Sequence, residues 1–354
     1  MAGNNLLLGV GLVAAMGVGA YLAVSMDRPL ALSEEKKVIW NEETYYGTIA
    51  SFQEELDHLS FAMTGFQQSA KEEEARQKEI ISQLDKLAKE SSKNKNLTDE
   101  TYEKMIVDRL GKAVYTHNGN NSKIQIFTLA EEDMRGYMAK ITLKTEKSLR
   151  VTINPEDKKT GETTAQAVDR LDGIFGVNGG GFATSTIDGV KTLVPLGNAM
   201  VEGKLVGDFT PSWNDLAFAG FTKKGKLVGG VYETEEQLKD SGAWQGVSFV
   251  PVLIQDWEKI DIPSKWKNAK QPRTVLGQYP NGDVFFIVVD GRQEDWSSGI
   301  TLEEMQVLLL RLGVMEAFNL DGGGSSTMIY NGKVLNKPSD GSLRKMATNI
   351  VIMP

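Results

Sequence analysis

The sequence predicts an α+β protein: a strand-rich, mixed-sheet domain with few helices, preceded by a hydrophobic helix and a coiled-coil-like helical stalk. Three observations carry this. Leu6–Val24 is an uninterrupted, uncharged apolar stretch. A seven-residue apolar spacing runs from Phe52. Beyond Ser122, short apolar runs bounded by glycine, asparagine and aspartate dominate, and the two-residue and 3.6-residue periodicities separate strand from helix.

Leu6–Val24 is long enough to span a bilayer as a helix. Gly11, Ala15 and Gly19 allow close helix packing. A signal peptide cleaved near Ala23-Val24-Ser25 and a helix buried in an assembly are the alternatives. Residues 1–30 are therefore read as an anchor and 31–115 as the stalk. In the stalk, Phe52, Leu56, Leu59, Met63, Phe66 and Ala70 form an apolar seam. It lapses at Glu73 and Gln77 and resumes at Ile80, Leu84 and Leu87, which fits an oligomerising coiled coil or one helix of a hairpin. Thr98-Asp99-Glu100 caps a second helix ending near Gly111.

Residues 116–354 form the predicted globular domain. Lys123–Leu129, Met138–Lys144, Ser148–Ile153, Ile174–Val177, Ala199–Val201, Ala217–Phe221, Lys226–Tyr232, Val247–Ile254, Thr274–Gln278 and Val284–Val289 read as strands. Thr163–Leu171 reads as a short helix, and the capping box Thr301-Leu302-Glu303-Glu304 opens another that Gly313 ends. Asn281-Gly282 and Asn331-Gly332 read as hairpin turns.

The chain has 354 residues, net charge −8, no cysteine and two histidines. Nucleic acid is not expected as a partner. Disulfides, thiol catalysis and thiolate metal sites are excluded, and acid–base chemistry falls to Asp and Glu. No cofactor motif is present, and no spacing of ligands indicates a metal.

Four segments share one form, an apolar strand opening into polar or glycine-rich residues: Asn178-Gly179-Gly180-Gly181-Phe182, Arg273-Thr274, Asp290-Gly291-Arg292, and Asn319-Leu320-Asp321-Gly322-Gly323-Gly324-Ser325-Ser326. Asp321 and Asp290 are candidates for paired catalytic carboxylates. Arg273 and Arg292 suit an anionic group, and the glycine N–H groups suit an anion nest. Trp296, Trp257, Trp213 and Tyr279 are candidates for stacking on sugar faces.

These segments, with Pro195-Leu196-Gly197, Gly299-Ile300-Thr301-Leu302-Glu303-Glu304, Asn336-Lys337-Pro338-Ser339-Asp340-Gly341 and Ala347-Thr348-Asn349, resemble the phosphodiester glycosidase family over Ser122–Pro354. One departure is Gly181-Phe182, where the family more often has two aromatics. The resemblance implies cleavage of a glycosidic bond to a phosphodiester, releasing the sugar and leaving a phosphomonoester. In that reaction Asp321 or Asp290 would stabilise the cationic sugar or activate water. Asn178, Gly179, Gly180, Arg273, Thr274, Arg292, Asn319, Gly322, Gly323, Gly324, Ser325 and Ser326 would bind substrate. The expected partner is a phosphorylated glycan of a cell surface, such as teichoic acid or capsule. The chain would sit on a membrane or virion through its first helix and oligomerise through its stalk. A non-catalytic glycan-binding or structural module is the alternative.

Overall fold

Val284–Val289 is apolar at every position, and its surroundings explain why. Successive side chains of a strand face opposite ways. Phe285, Ile287 and Val289 enter one core, and Val284, Phe286 and Val288 enter another. The strand thus lies in a sheet covered on both faces. The structure is a computed structural model; it describes residues 99–131, 133–154, 160–187, 189–213 and 215–354, with scattered positions between 60 and 82. The chain divides into units 1–71 and 72–354. In the first, the described positions, among them Met63, are helical. The anchor Leu6–Val24 and most of the heptad seam lie outside the described residues. Among the described residues no helix is long and apolar enough to cross a membrane.

The central sheet has eight strands, in the order Tyr115–Asn118, Ser122–Glu131, Met134–Leu143, Val284–Val289, Arg273–Gln278, Glu316–Leu320, Val252–Gln255, Glu258–Lys259. Every strand pair among the described residues is antiparallel, so the expectation of a mixed sheet is corrected. The reason lies in one insertion. Helix Leu302–Arg311 carries the chain from Val284–Val289 to Glu316–Leu320, a connection that usually joins parallel neighbours. Here Arg273–Gln278 lies between the two and pairs antiparallel with each. The flanking strands therefore run the same way. Both end on an aspartate, Asp290 and Asp321, at the edge where Arg273 begins.

One face of the sheet is covered by helices. Leu302, Met305 and Leu309 of Leu302–Arg311 and Ile106 of Asp99–Leu110 share a core with Val275 and Phe285. Helix Asp99–Leu110 is also tied down by Lys140, whose ammonium meets Glu103 at 3.0 Å and Asp283 at 2.5 Å. This helix, assigned above to the stalk, therefore buries a side chain in the domain core. The other face is covered by two five-stranded sheets. One is ordered Lys204–Leu205, Met200–Val201, Ala243–Phe249, Ala217–Thr222, Leu227–Gly230. The other is ordered Lys333–Val334, Met328–Tyr330, Phe175–Asn178, Asn349–Ile352, Leu149–Thr152.

Three expectations changed in detail. Val247–Ile254 is two strands, not one: Ala243–Phe249 and Val252–Gln255 belong to different sheets. Pro251, which has no N–H to donate, stands at the crossing. Helix Glu235–Asp240 and the largely exposed hairpin Phe182–Ile187/Val190–Pro195 were not foreseen. At Asn331-Gly332 both residues have positive φ, 47° and 71°, as a tight hairpin turn requires.

Glu316 opens its strand half-buried, with Oε1 accepting from the Asp256 N–H at 3.3 Å. Burial pushes its carboxyl up to about 7 from 4.5. A raised acid binds its proton more tightly when folded, so its contribution to stability is complete below 4.5 and is lost as pH rises through about 7. Thermal midpoints measured from pH 5 to pH 8 should fall across that window, and Glu316→Gln should flatten the curve. An unchanged slope in the variant would assign the dependence to another group.

Candidate functional site

Four strand ends meet at one edge of the central sheet. Phe175–Asn178 brings Asn178 against the sheet from the covering layer. Thr274 Oγ1 donates to Asn178 Oδ1 at 2.8 Å, which also accepts from the Thr327 N–H at 3.1 Å. Asn178 Nδ2 donates to the Asp321 carbonyl at 2.7 Å, and the Asp321 N–H to the Gly179 carbonyl at 3.3 Å. Asn178 and Thr274 are wholly buried. Their polar atoms lock the strand ends together, so neither faces a substrate, contrary to the expectation for them.

The first glycine run does not form an anion nest. The N–H of Gly179 donates to the Thr348 carbonyl at 3.0 Å, that of Gly180 to Thr348 Oγ1 at 3.1 Å, and that of Gly181 to the Ser248 carbonyl at 3.0 Å. Close approach explains the glycines better: a Cβ on Gly179 would lie 2.7 Å from the Thr348 carbonyl oxygen. Gly291, Gly299 and Gly322 likewise pack on the backbone of Gln271 and Pro272, leaving under 3.0 Å for any Cβ.

Of the four strand-end residues at this edge, Asp321 is the most accessible. Its side chain is half-buried and is held by the Ser325 hydroxyl and the Gly322 N–H, with the Arg344 charge nearby. Burial raises the carboxyl above the usual aspartate range; Ser325, Arg344 and Gly322 limit the rise. Gly323–Ser325 makes one 3-10 turn. An arginine lies over each of its first two residues. A Cβ on Gly323 would be 3.0 Å from Arg292 Nη2; one on Gly324 would meet Arg344 Nη2 and its ion-pair partner Asp340 Oδ2. Arg292 is aimed by Gln271, whose Oε1 accepts from Nε at 2.7 Å. Arg344 is aimed by Asp340 Oδ2 at 2.5 Å and Ser325 Oγ at 3.2 Å. Both arginines keep solvent access. A half-buried carboxylate beside two oriented guanidinium groups suits a substrate that carries an anion next to a centre that becomes cationic.

Arg344 was missed in the sequence. It lies between two motifs that were noticed, and only the return of the chain to strand Lys345–Met346 sets it on the glycine turn. Arg273, expected to clamp an anion, is 7% exposed instead. Its Nη2 donates to the Ala269 carbonyl at 2.9 Å and its Nε to the Ile300 carbonyl at 3.3 Å. Burial lowers its pKa to about 10, with the Glu303 charge opposing and Arg292 assisting.

Asp290 is also withdrawn, at 1% exposure. Its carboxylate accepts from Trp296 Nε1 at 2.8 Å, Asn336 Nδ2 at 3.0 Å and the Lys337 N–H at 2.9 Å. Burial raises its pKa against these donors. Asn336 extends the bracing: it donates to the Ser326 carbonyl and accepts from the Met328 N–H. Asp290 thus braces the glycine turn from behind rather than pairing with the half-buried Asp321 as a second accessible acid. Ser326 Oγ and Asn319 Oδ1 are buried in the same region without a hydrogen-bond partner. Among the described residues no three His, Cys, Asp or Glu side chains gather as a metal ion requires.

A profile of the phosphodiester glycosidase family matches residues 172–353. The mouse N-acetylglucosamine-1-phosphodiester alpha-N-acetylglucosaminidase is 31% identical over 180 residues, covering 46% of this chain and 33% of that protein. The SPbeta prophage-derived uncharacterized protein YomE of Bacillus subtilis (strain 168) is 36% identical over 130 residues, 36% of this chain and 20% of that protein. The matched part of the chain thus spans a third or less of the length of these two relatives. The solved catalytic domain of the zebrafish N-acetylglucosamine-1-phosphodiester alpha-N-acetylglucosaminidase aligns with a TM-score of 0.54 at 22% identity, covering 69% of this chain and 87% of that one, and so shares its fold. The match beginning at residue 172 takes in all four converging strand ends, Asp321 with its glycine turn and the returning segment that carries Arg344: this chain belongs to the phosphodiester glycosidase family.

Proposed function

We propose that the chain hydrolyses a sugar-1-phosphodiester, breaking the bond between the anomeric carbon and the phosphate oxygen. Water supplies the hydroxyl to the sugar, and the phosphate departs as a phosphomonoester. The observation that carries this reading is the half-buried Asp321 set beside a glycine turn overlain by Arg292 and Arg344. The arginines hold the phosphate and take up its added charge as the bond breaks. Asp321 stabilises the cationic sugar centre or activates the water. A phosphate leaves readily, so the site needs less general-acid help than one acting on an ordinary glycoside. The names of the curated relatives support the bond type. We extend the reading to a phosphate-linked glycan of a cell surface, teichoic acid or capsule. We extend it also to a chain held on a membrane or virion by Leu6–Val24 and oligomerised through its stalk; the prophage origin of one relative supports the virion setting alone.

The test is incubation with a sugar-1-phosphodiester, scoring reducing sugar and phosphomonoester together. Arg344→Gln should raise KM by about 10- to 100-fold, the value of a charge-assisted hydrogen bond of roughly 1.5–3 kcal/mol. Saturable binding without release of either product would make the domain a glycan-binding module. An unaltered KM in Arg344→Gln would remove Arg344 from the phosphate site.

A further inference from the structure

Trp296 combines two features rarely found together, an exposed ring and a fixed one. Trp296 is 42% exposed. Yet its Nε1–H is tied to the buried Asp290 at 2.8 Å. Its loop is closed by the paired backbone bonds of Gln293 and Ser297, at 3.0 and 2.9 Å. Ser297 Oγ adds a bond to the Asp290 carbonyl at 2.8 Å. The ring is therefore held in place without being packed away, as a stacking surface for a flat ligand should be.

Lys337 completes the arrangement. Its backbone N–H is held by the same Asp290 carboxylate, and its carbonyl accepts from Gln293 Nε2 at 2.9 Å. Its ammonium lies 5.6 Å from the centre of the indole ring. The cation thus lies over the aromatic ring, and each residue has its backbone locked. Both lie on loops that also serve the reacting centre. Trp296 follows Arg292 by four residues, at most about 14 Å of extended chain. Lys337 precedes Asp340 and Arg344 on the segment that covers Gly324.

We propose that Trp296 and Lys337 form a second subsite, outside the reacting centre, for the next sugar–phosphate unit of a repeating phosphodiester-linked glycan. The sugar ring stacks on the indole and the following phosphate pairs with the ammonium. The subsite rests on the hydrolytic reading above for its placement on the leaving-group side. It selects a polymer over a small sugar-phosphate ester.

Two substrates decide the matter: a sugar 1-(methyl phosphate), which fills only the reacting centre, and a short oligo(glycosyl 1-phosphate) of the same sugar. The quantity read is the ratio of kcat/KM for oligomer over methyl ester. Trp296→Ala should lower this ratio about tenfold, the size of one stacking contact. Lys337→Gln alters an exposed side chain and is expected to fold normally; it should lower the ratio and weaken its dependence on salt. An unchanged ratio in both variants overturns the proposal, as does equal loss on the two substrates in Lys337→Gln. If the native chain cleaves neither substrate, the hydrolytic reading fails by itself. Calorimetry then decides the subsite: tighter binding of oligomer than of methyl ester, lost in Lys337→Gln, supports it, and equal binding of the two overturns it.

Discussion

Asp321→Asn should lower kcat on a sugar-1-phosphodiester by about 10²- to 10³-fold, the loss seen when one preorganised electrostatic stabiliser is removed. The substitution keeps the volume of the side chain and one acceptor oxygen for Ser325 or Gly322, and replaces the charge and the other oxygen with a neutral amide donor. Stability should move the other way or not at all. Burial raises the Asp321 carboxyl above the usual range, so ionisation costs folding free energy. With the folded pKa above the unfolded one, that cost grows as pH rises through the folded value. Near neutrality the neutral asparagine avoids it, and the melting temperature should be equal to or above that of the native chain. The acidic limb of kcat/KM should also lie above about 3.9, the ordinary aspartate value, and should vanish in the variant. Near-native turnover in Asp321→Asn would end the assignment. A fall in melting temperature matching the fall in activity would return Asp321 to a structural role.

How much of this was legible in the sequence depends on the range of the interaction. The strand ends at Arg273, Asp290 and Asp321 were readable because each is punctuation at the end of an apolar run, a local signal. Their convergence was not readable. It follows from placing Arg273–Gln278 between two strands joined by a helix, which makes both aspartates exit on one edge. The glycines were found but misread. Their number suggested a ring of free donors, whereas the backbones of Thr348, Ser248 and Pro272 use those donors or press against the missing side chains. Arg344 gave no local signal, since one arginine in a polar segment looks like any other. Val247–Ile254 read as a single strand because apolarity continues through the crossing at Pro251, and only the sheet assignment separates the halves.

Asp290→Ala should be the most destabilising single change at the site and should act through folding rather than chemistry. Three donors converge on that carboxylate: Trp296 Nε1, Asn336 Nδ2 and the Lys337 N–H. The alanine leaves them facing one another in a space water enters poorly. A buried donor left unpaired costs roughly 1–3 kcal/mol, and Asn336 at least is fully enclosed. A total of about 3–5 kcal/mol is expected, which for a domain of this size lowers the melting temperature by roughly 10 °C. Asp290→Asn should share much of this loss, because its amide group would place a fourth donor among the three. The glycine turn would loosen as well, since Asn336 also holds the Ser326 carbonyl and the Met328 N–H. Activity should therefore fall, but in proportion to the folded fraction, and should recover on cooling. A fully folded Asp290→Asn with a kcat loss equal to that of Asp321→Asn would contradict the bracing role. Because the Asp290 carboxylate meets three protein donors and almost no solvent, the proposed hydrolysis assigns the direct catalytic role to Asp321, with Asp290 keeping the turn behind it in place.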